Sequence, residues 1–327
     1  MPATQIDPVA VSRHALLAAL GSVEPIVTMS HDDLVVIALG SLNTHSSDYL
    51  TLADDQPAAF DFTELDSGGS VPTVQVKVGF QPLVVLAGET IVGGKQNRII
   101  NVSLWLAAQK TTPIPVSCLE HGRWDAGNRF AAGRPVDLDL RAKVSRMVGV
   151  QARSASPRFA SDQGAVWQEI AVKEQLAARH SQTGALHDLY ATEAVDVDAV
   201  VKAFPVPEGT SGLAIGVGGK LVALDLFDSA DTLRKQWPRL IASAASAQLD
   251  HKRRVAGGLL PKPLHRYPDP GALGRMLARA TKATDDLTVN RSAGEGFDVR
   301  LAAPKLHGSA LVHDAHLVHL ALFRDDG

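Results

Sequence analysis

Apolar and polar positions alternate with a period of two over "VPTVQVKVGF", where Val74, Val76, Val78 and Phe80 stand against Gln75, Lys77 and Gly79, and this period predicts a strand. The short apolar run "DDLVVIAL", residues 32–39, predicts another. "PLVVLAGETIVGGKQNRIINVSLWLAA" predicts a strand, a turn at Gly88-Glu89, a glycine-rich corner at Gly93-Gly94 and a further strand from Ile99 to Leu106. The connections are too short for helical crossovers, so these strands are expected to pair antiparallel.

Near Ala126 the period changes. A segment carrying Arg134, Arg141, Lys143, Arg146, Arg153 and Arg158 reads as a solvated helix and loop. "SDQGAVWQEIAVKEQLAARH" reads as a helix with Ser161 as its N-cap, Val166, Trp167, Ile170 and Ala171 at helical spacing, and Gly184 as a stop beyond it. "LAIGVGGKLVALDLF" has apolar runs on both sides of Gly218-Gly219. It therefore reads as a hairpin and not as a dinucleotide fingerprint, which needs a helix N-terminus directly after its glycines. Ser229 then caps a helix with Leu233, Trp237, Leu240, Ile241 and Ala244 on one face, which Pro238 either kinks or begins. "PGALGRMLARATKA" predicts a last helix, and the C-terminal stretch predicts strands with a hairpin at Asp314-Ala315.

Without regular βα alternation, the expected class is α+β, an antiparallel β-rich N-terminal half packed with a mixed α+β C-terminal half. The expected division is a helical N-terminal extension over 1–30, a β-rich subdomain over 31–125 carrying the polar motifs, and a mixed subdomain over 126–327, either separate from the former or one continuous domain with it. Composition narrows the function classes. With 45% hydrophobic and 20% charged residues the chain is of globular type, and no apolar run is long enough for a membrane span. A formal net charge of -3 gives no electrostatic reason to expect nucleic acid or an anionic membrane as partner. A single cysteine excludes an intramolecular disulfide and any multi-cysteine zinc site. With no secretion signal at the N-terminus, the cytoplasm is the expected compartment.

Candidate chemistry concentrates in "PVSCLEHGRWD", residues 115–125. Alternation puts Ile114, Val116, Cys118 and Glu120 on one strand face, so an apolar row ends in a carboxylate. Gly122 permits a sharp turn that returns Arg123 and Trp124 to the strand's end. Two readings stand side by side. In one, Glu120 and Arg123 are a structural ion pair and Trp124 fills the core. In the other, Arg123 grips a phosphate or carboxylate, Trp124 stacks on a base or sugar, and Glu120 binds ribose hydroxyls or acts as general base. Cys118 shares the apolar face and reads as a small buried hydrophobe more readily than as a nucleophile. "GETIVGGKQNR", residues 88–98, adds Gln96, Asn97 and Arg98, and its glycines read either as an ordinary turn or as an anion nest. Gln163 and Trp167, at the start of their helix, are candidates to close the site. His307, His313, His316 and His319 match no standard metal spacing and are expected to be scattered hairpin histidines, so no metal and no particular cofactor is assigned.

In their order, "GETIVGGKQNR", "IPVSCLEHGRW", "SDQGAVWQEI", "TGALHDLY", "GGKLVALDLFDSADTLRKQWPRL" and "LVHLALF" resemble the ARG and rhodanese-phosphatase-superfamily-associated protein family over most of the chain. Gln96, Arg98, Cys118, Glu120, Gly122, Arg123, Trp124, Gln163, Gly164 and Trp167 match the family pattern. His121 stands where glutamine is common, and "IASAASAQL" replaces a Ser-Tyr-Ala segment. The resemblance implies a role near NAD-derived nucleotides, with an ADP-ribose-like nucleotide as ligand and no settled activity. The rival expectation is a non-catalytic interaction or scaffold protein.

Overall fold

A computed structural model describes residues 7–41, 48–54, 56, 58–65, 71–124, 127–154 and 159–325. Asp125 and Arg158 of the segments discussed above lie outside the described residues. The chain is α+β. Its largest sheet runs in the order β1 (Glu24–His31), β2 (Leu34–Gly40), β12 (Gly212–Val217), β13 (Lys220–Phe227), β17 (His316–Arg324), β16 (Leu306–His313), β15 (Phe297–Ala303) and β14 (Thr288–Arg291). A six-stranded sheet runs β11 (Ala131–Ala132), β7 (Thr90–Val92), β8 (Arg98–Ile100), β10 (Thr111–Cys118), β5 (Thr73–Val78) and β4 (Phe60–Glu64). Three short strands, β3 (Leu50–Thr51), β6 (Leu83–Val85) and β9 (Leu104–Leu106), form a third. The helices are α1 (Pro8–Gly21), α2 (Leu138–Ala152), α3 (Gln163–Leu176), α4 (Leu186–Lys202), α5 (Ala230–Ala256) and α6 (Ala272–Ala283).

The large sheet explains why "LVVIALG", "LVALDLF" and "LVHLALF" read as continuous apolar runs: both of its faces are covered. One face, with Leu34, Val36, Leu213, Ile215 and Phe227, packs against Leu233, Trp237, Ile241 and the alanines of α5. The other, with Leu39, Leu224, Leu226, Leu320 and Leu322, packs against Leu16 and Leu20 of α1 and Met276 and Ala280 of α6. In "IASAASAQL" every residue from Ala242 to Ala247 is buried, because side chains this small let a helix lie close upon a sheet. A third core joins the six-stranded sheet to α2, α3 and α4 through Val74, Val76, Ile99, Ile114, Val144, Val166, Ile170 and Leu189.

Several expectations are corrected here. The strand expected from Ile99 to Leu106 is two strands, β8 and β9, in different sheets. All the expected N-terminal pairings are antiparallel, but β3 pairs with β6 in parallel. Asp162, not Ser161, caps α3, its carboxylate accepting the Ala165 N–H, and Ala171 is exposed while Lys173 is buried. Pro238 lies inside α5, whose start at Ala230 is capped by Ser229. Arg141 is no solvated charge: it is buried and paired with Asp225. The large sheet draws strands from both halves of the chain, and residues 24–31 within the N-terminal segment form β1. Both predicted hairpin turns are present, with Gly218 and Gly219 at φ +58° and +77° and Asp314 and Ala315 at +46° and +64°.

Candidate functional site

Antiparallel pairing of β8 with β10 sets Arg98 opposite Cys118, so the two polar segments meet at one end of the six-stranded sheet. β10 ends at Cys118, and Glu120 follows as a buried carboxylate. Arg123 returns to it as a bidentate partner, Nε to Oε1 at 3.0 Å and Nη2 to Oε2 at 2.8 Å. Burial pushes the Glu120 carboxyl up, but hydrogen bonds from Arg123, Thr183 and the Asn97 N–H outweigh it and hold the group below the usual glutamate range. Gly122 is needed for close approach and not for a left-handed turn: a Cβ there would lie 3.1 Å from Cα of Thr183, whose carbonyl accepts the N–H groups of His121 and Gly122.

The neighbouring groups are bonded to one another as well. Gln96 donates to the Glu120 carbonyl at 3.0 Å and accepts from Arg98 at 3.1 Å. Arg98 also donates to the Cys118 sulfur. Burial raises the Cys118 thiol above its ordinary value despite the Arg98 charge, so the sulfur stays protonated at neutral pH. The glycine corner is no open anion nest. The Gly93 N–H donates to Asn97 Oδ1, the Gly94 N–H to the Asn128 carbonyl and the Lys95 N–H to Glu64, while the Gly93 and Gly94 carbonyls accept from Arg123. Gln163, the first residue of α3, clamps Cys118 with both ends of its amide, accepting its N–H at 2.7 Å and donating to its carbonyl at 2.8 Å. Trp167 meets the His121 ring edge-to-face at 4.4 Å. Trp124 stands apart: it is 45% exposed, with Lys95 Nζ 5.5 Å and Arg98 Cζ 5.4 Å from its ring centroid. The structure thus brings Gln96, Asn97, Arg98, Glu120, Arg123 and Gln163 together as one bonded cluster, with Trp124 on its rim.

Two further constellations escaped the sequence reading. Ser103 Oγ lies 3.0 Å from His319 Nδ1, His319 Nε2 lies 3.0 Å from Asp225, and Asp225 is gripped by Arg141. These are the residue types of a nucleophilic triad, with the two imidazole nitrogens exchanged: serine stands at Nδ1 and aspartate at Nε2. The set is a buried bracket, however, since Ser103 is 6% exposed, His319 1% and Asp225 not at all, and Ser103 Oγ already accepts the Ala87 N–H. Burial lowers the His319 pKa below its ordinary value, against the pull of Asp225. The signal was an aspartate within "LVALDLF" and a histidine within "LVHLALF", polar residues in strands covered on both faces. Among the described residues no group of three or more histidine, cysteine, aspartate or glutamate side chains is placed to hold a metal ion.

The second is a cavity of about 730 Å³ between the β12–β13 turn, the C-terminal half of α5, Asp139 in the first turn of α2, and residues 260–265. A second cavity, of about 670 Å³, is walled in part by Phe60, Phe130 and Arg239, and neither is lined by Glu120, Arg123 or Trp124. Asp139 is exposed and borders the first cavity. The protein packed around its carboxyl, with Asp137, Asp250 and Glu169 nearby, pushes it up to about 6 against the attraction of Lys173. Between the ordinary aspartate value of about 3.9 and that raised value the folded chain holds a proton that the unfolded chain has lost. Stability therefore falls as pH rises through this window and stays reduced above it. Asp139→Asn is expected to raise the unfolding free energy by about 1 kcal/mol at pH 7, after allowance for its solvent contact, and to leave it unchanged near pH 4, as measured by urea titration at both values.

Fold and site together define an α+β protein with a self-bonded polar motif at a sheet end and a separate charged cavity. The chain belongs to the ARG and Rhodanese-Phosphatase-superfamily-associated Protein domain family, ARPP-1, whose model matches residues 23–323. No curated protein and no solved structure matches it. No helix among the described residues is long and apolar enough to cross a membrane.

Proposed function

We propose that the chain binds an ADP-ribose-like nucleotide, in the cytoplasm, on the surface presented by Trp124. The observation that supports this reading is the half-exposed indole with two cations about its ring, left on the rim of a cluster whose other groups are bonded internally. A nucleobase stacks on such a ring, and a phosphate is drawn by the positive charge of Lys95 beside it. In this reading Glu120, Arg123, Gln96 and Asn97 hold the platform in place, and no bond-breaking step is assigned to Glu120. A second reading has its own support. The Glu120 carboxylate and the Gln163 amide are fully engaged with the chain itself, as in a protein whose motif serves only to lock the fold.

Thermal unfolding with ADP-ribose, AMP and ribose 5-phosphate separates the two. A ligand bound only to the native state stabilises it by about 2.7 kcal/mol at a hundredfold excess over Kd. The expected result is a concentration-dependent rise in midpoint with ADP-ribose that Trp124→Ala abolishes while folding normally. A rise that survives in Trp124→Ala refutes the assigned surface, and no rise with any of the three favours the lock alone.

A further inference from the structure

The 730 Å³ cavity has a wall that the sequence is built to seat. Gly216, Gly218 and Gly219 form or adjoin the β12–β13 turn, and each is pressed by a neighbour. A Cβ on Gly216 would lie 2.6 Å from Pro268 Cγ, one on Gly218 2.4 Å from His251 Nε2, and one on Gly219 2.2 Å from the His265 carbonyl oxygen. The 265–268 stretch therefore rests directly on the turn, and residues 260–265 are held across the open space as one side of a cavity. Val217, Val222, Ala247 and Leu260 give that cavity an apolar lining, while Lys220, Arg254 and Lys262 bring three cations to it against the one carboxylate of Asp139. Arg254 is 30% exposed and forms an ion pair with Glu169, Nη2 to Oε1 at 3.8 Å.

We propose that this cavity binds a small amphipathic anion, with its carboxylate or phosphate head group at Arg254, Lys220 and Lys262 and its apolar body against Val217, Val222, Ala247 and Leu260. The net positive charge selects an anion, and a guanidinium suits an oxyanion with two oxygens in one plane. The apolar lining favours a hydrocarbon or aromatic body over a sugar phosphate. Asp139 sets the number of charges: a second anionic group reaching it would meet a carboxylate, so ligands with one head group are preferred to diacids. The cavity shares no lining residue with the Trp124 surface, and the two sites stand or fall separately.

The test uses the full chain and two dyes with similar apolar bodies, 1-anilinonaphthalene-8-sulfonate, which carries an anion, and neutral N-phenyl-1-naphthylamine. The expected result is saturable one-to-one binding of the sulfonate, tighter than that of the neutral dye. Decanoate or decyl phosphate should displace it, and inorganic phosphate at equal concentration should not. Whichever of the two alkyl anions competes at lower concentration identifies the preferred head group. Arg254→Gln, with unchanged circular dichroism, should weaken sulfonate binding about tenfold and leave the neutral dye unaffected. If Arg254→Gln does not fold, the exposed Lys262→Gln is expected to weaken the sulfonate alone by about threefold. Equal binding of the two dyes, absence of saturation, or wild-type sulfonate affinity in the folded variants overturns the proposal.

Discussion

Arg141→Met is expected to destabilise the native chain by about 3–5 kcal/mol at neutral pH, because it leaves the Asp225 carboxylate buried without its cation. The two side chains form a bidentate pair, with Nη1 to Oδ2 at 2.9 Å, and Arg141 also donates to the Ala87 carbonyl at 3.1 Å. Burial disfavours the Asp225 charge, but Arg141 and the hydrogen bond from His319 reverse that and bring its pKa down to about 2. A depressed carboxylate contributes stability that is complete above its unfolded value and lost as pH falls through the folded one. The wild-type chain should therefore lose about 2 kcal/mol from this group between about pH 4 and pH 2. In Arg141→Met that acid-dependent loss should vanish, since the orphaned aspartate takes up a proton at higher pH. Urea unfolding at pH 7, pH 4 and pH 2 measures both effects, and a neutral-pH loss below about 1 kcal/mol would show that the pair is dispensable.

The second large effect is expected from Lys173→Met. Lys173 is 1% exposed on α3 and lies 2.8 Å from Asp137, the N-cap of α2, and 2.7 Å from Asp250 on α5. Tyr190 of α4 joins the same cluster, its hydroxyl donating to Asp137 at 3.0 Å. One ammonium thus ties the ends of several helices together. Burial alone would lower the Lys173 pKa, but Asp137, Asp250 and Asp139 raise it above the ordinary lysine range. With lysine replaced by methionine, two buried carboxylates lose their shared counterion, and a loss of about 3–5 kcal/mol is expected at pH 7. The loss should shrink in acid as the carboxylates protonate, and Asp250→Asn in the same chain should restore part of it. Failure of that double variant to recover any stability would assign the effect to packing and not to charge.

The hairpins and the capped helix face with Leu233, Trp237 and Leu240 were legible because each is encoded within a few residues: glycines that admit positive φ, and helical spacing. What was not legible depends on partners far away in the chain. Arg141 stands in a run of cations and reads as solvated, yet its carboxylate lies on β13, 84 residues on. Ser103 and His319 are separated by 216 residues. The cavity likewise needs the first turn of α2, a hairpin, the end of α5 and a loop, and no one of these carries a motif. Even at the predicted site the sequence presented chemically capable groups without showing that most of them are spent on one another.

The Gln163 clamp bears on how the sheet ends. β5 pairs with β10 as far as Thr73 opposite Pro115, and the Val116 N–H still donates to the Pro72 carbonyl, so only past that bond would β10 present backbone donors and acceptors to an extended chain. At Cys118 a side-chain amide occupies the place of the missing strand, supplying one acceptor and one donor in ladder fashion. A helix thereby hems a β-sheet with its own first residue, and at that position the backbone is closed to edge-on assembly with a second molecule.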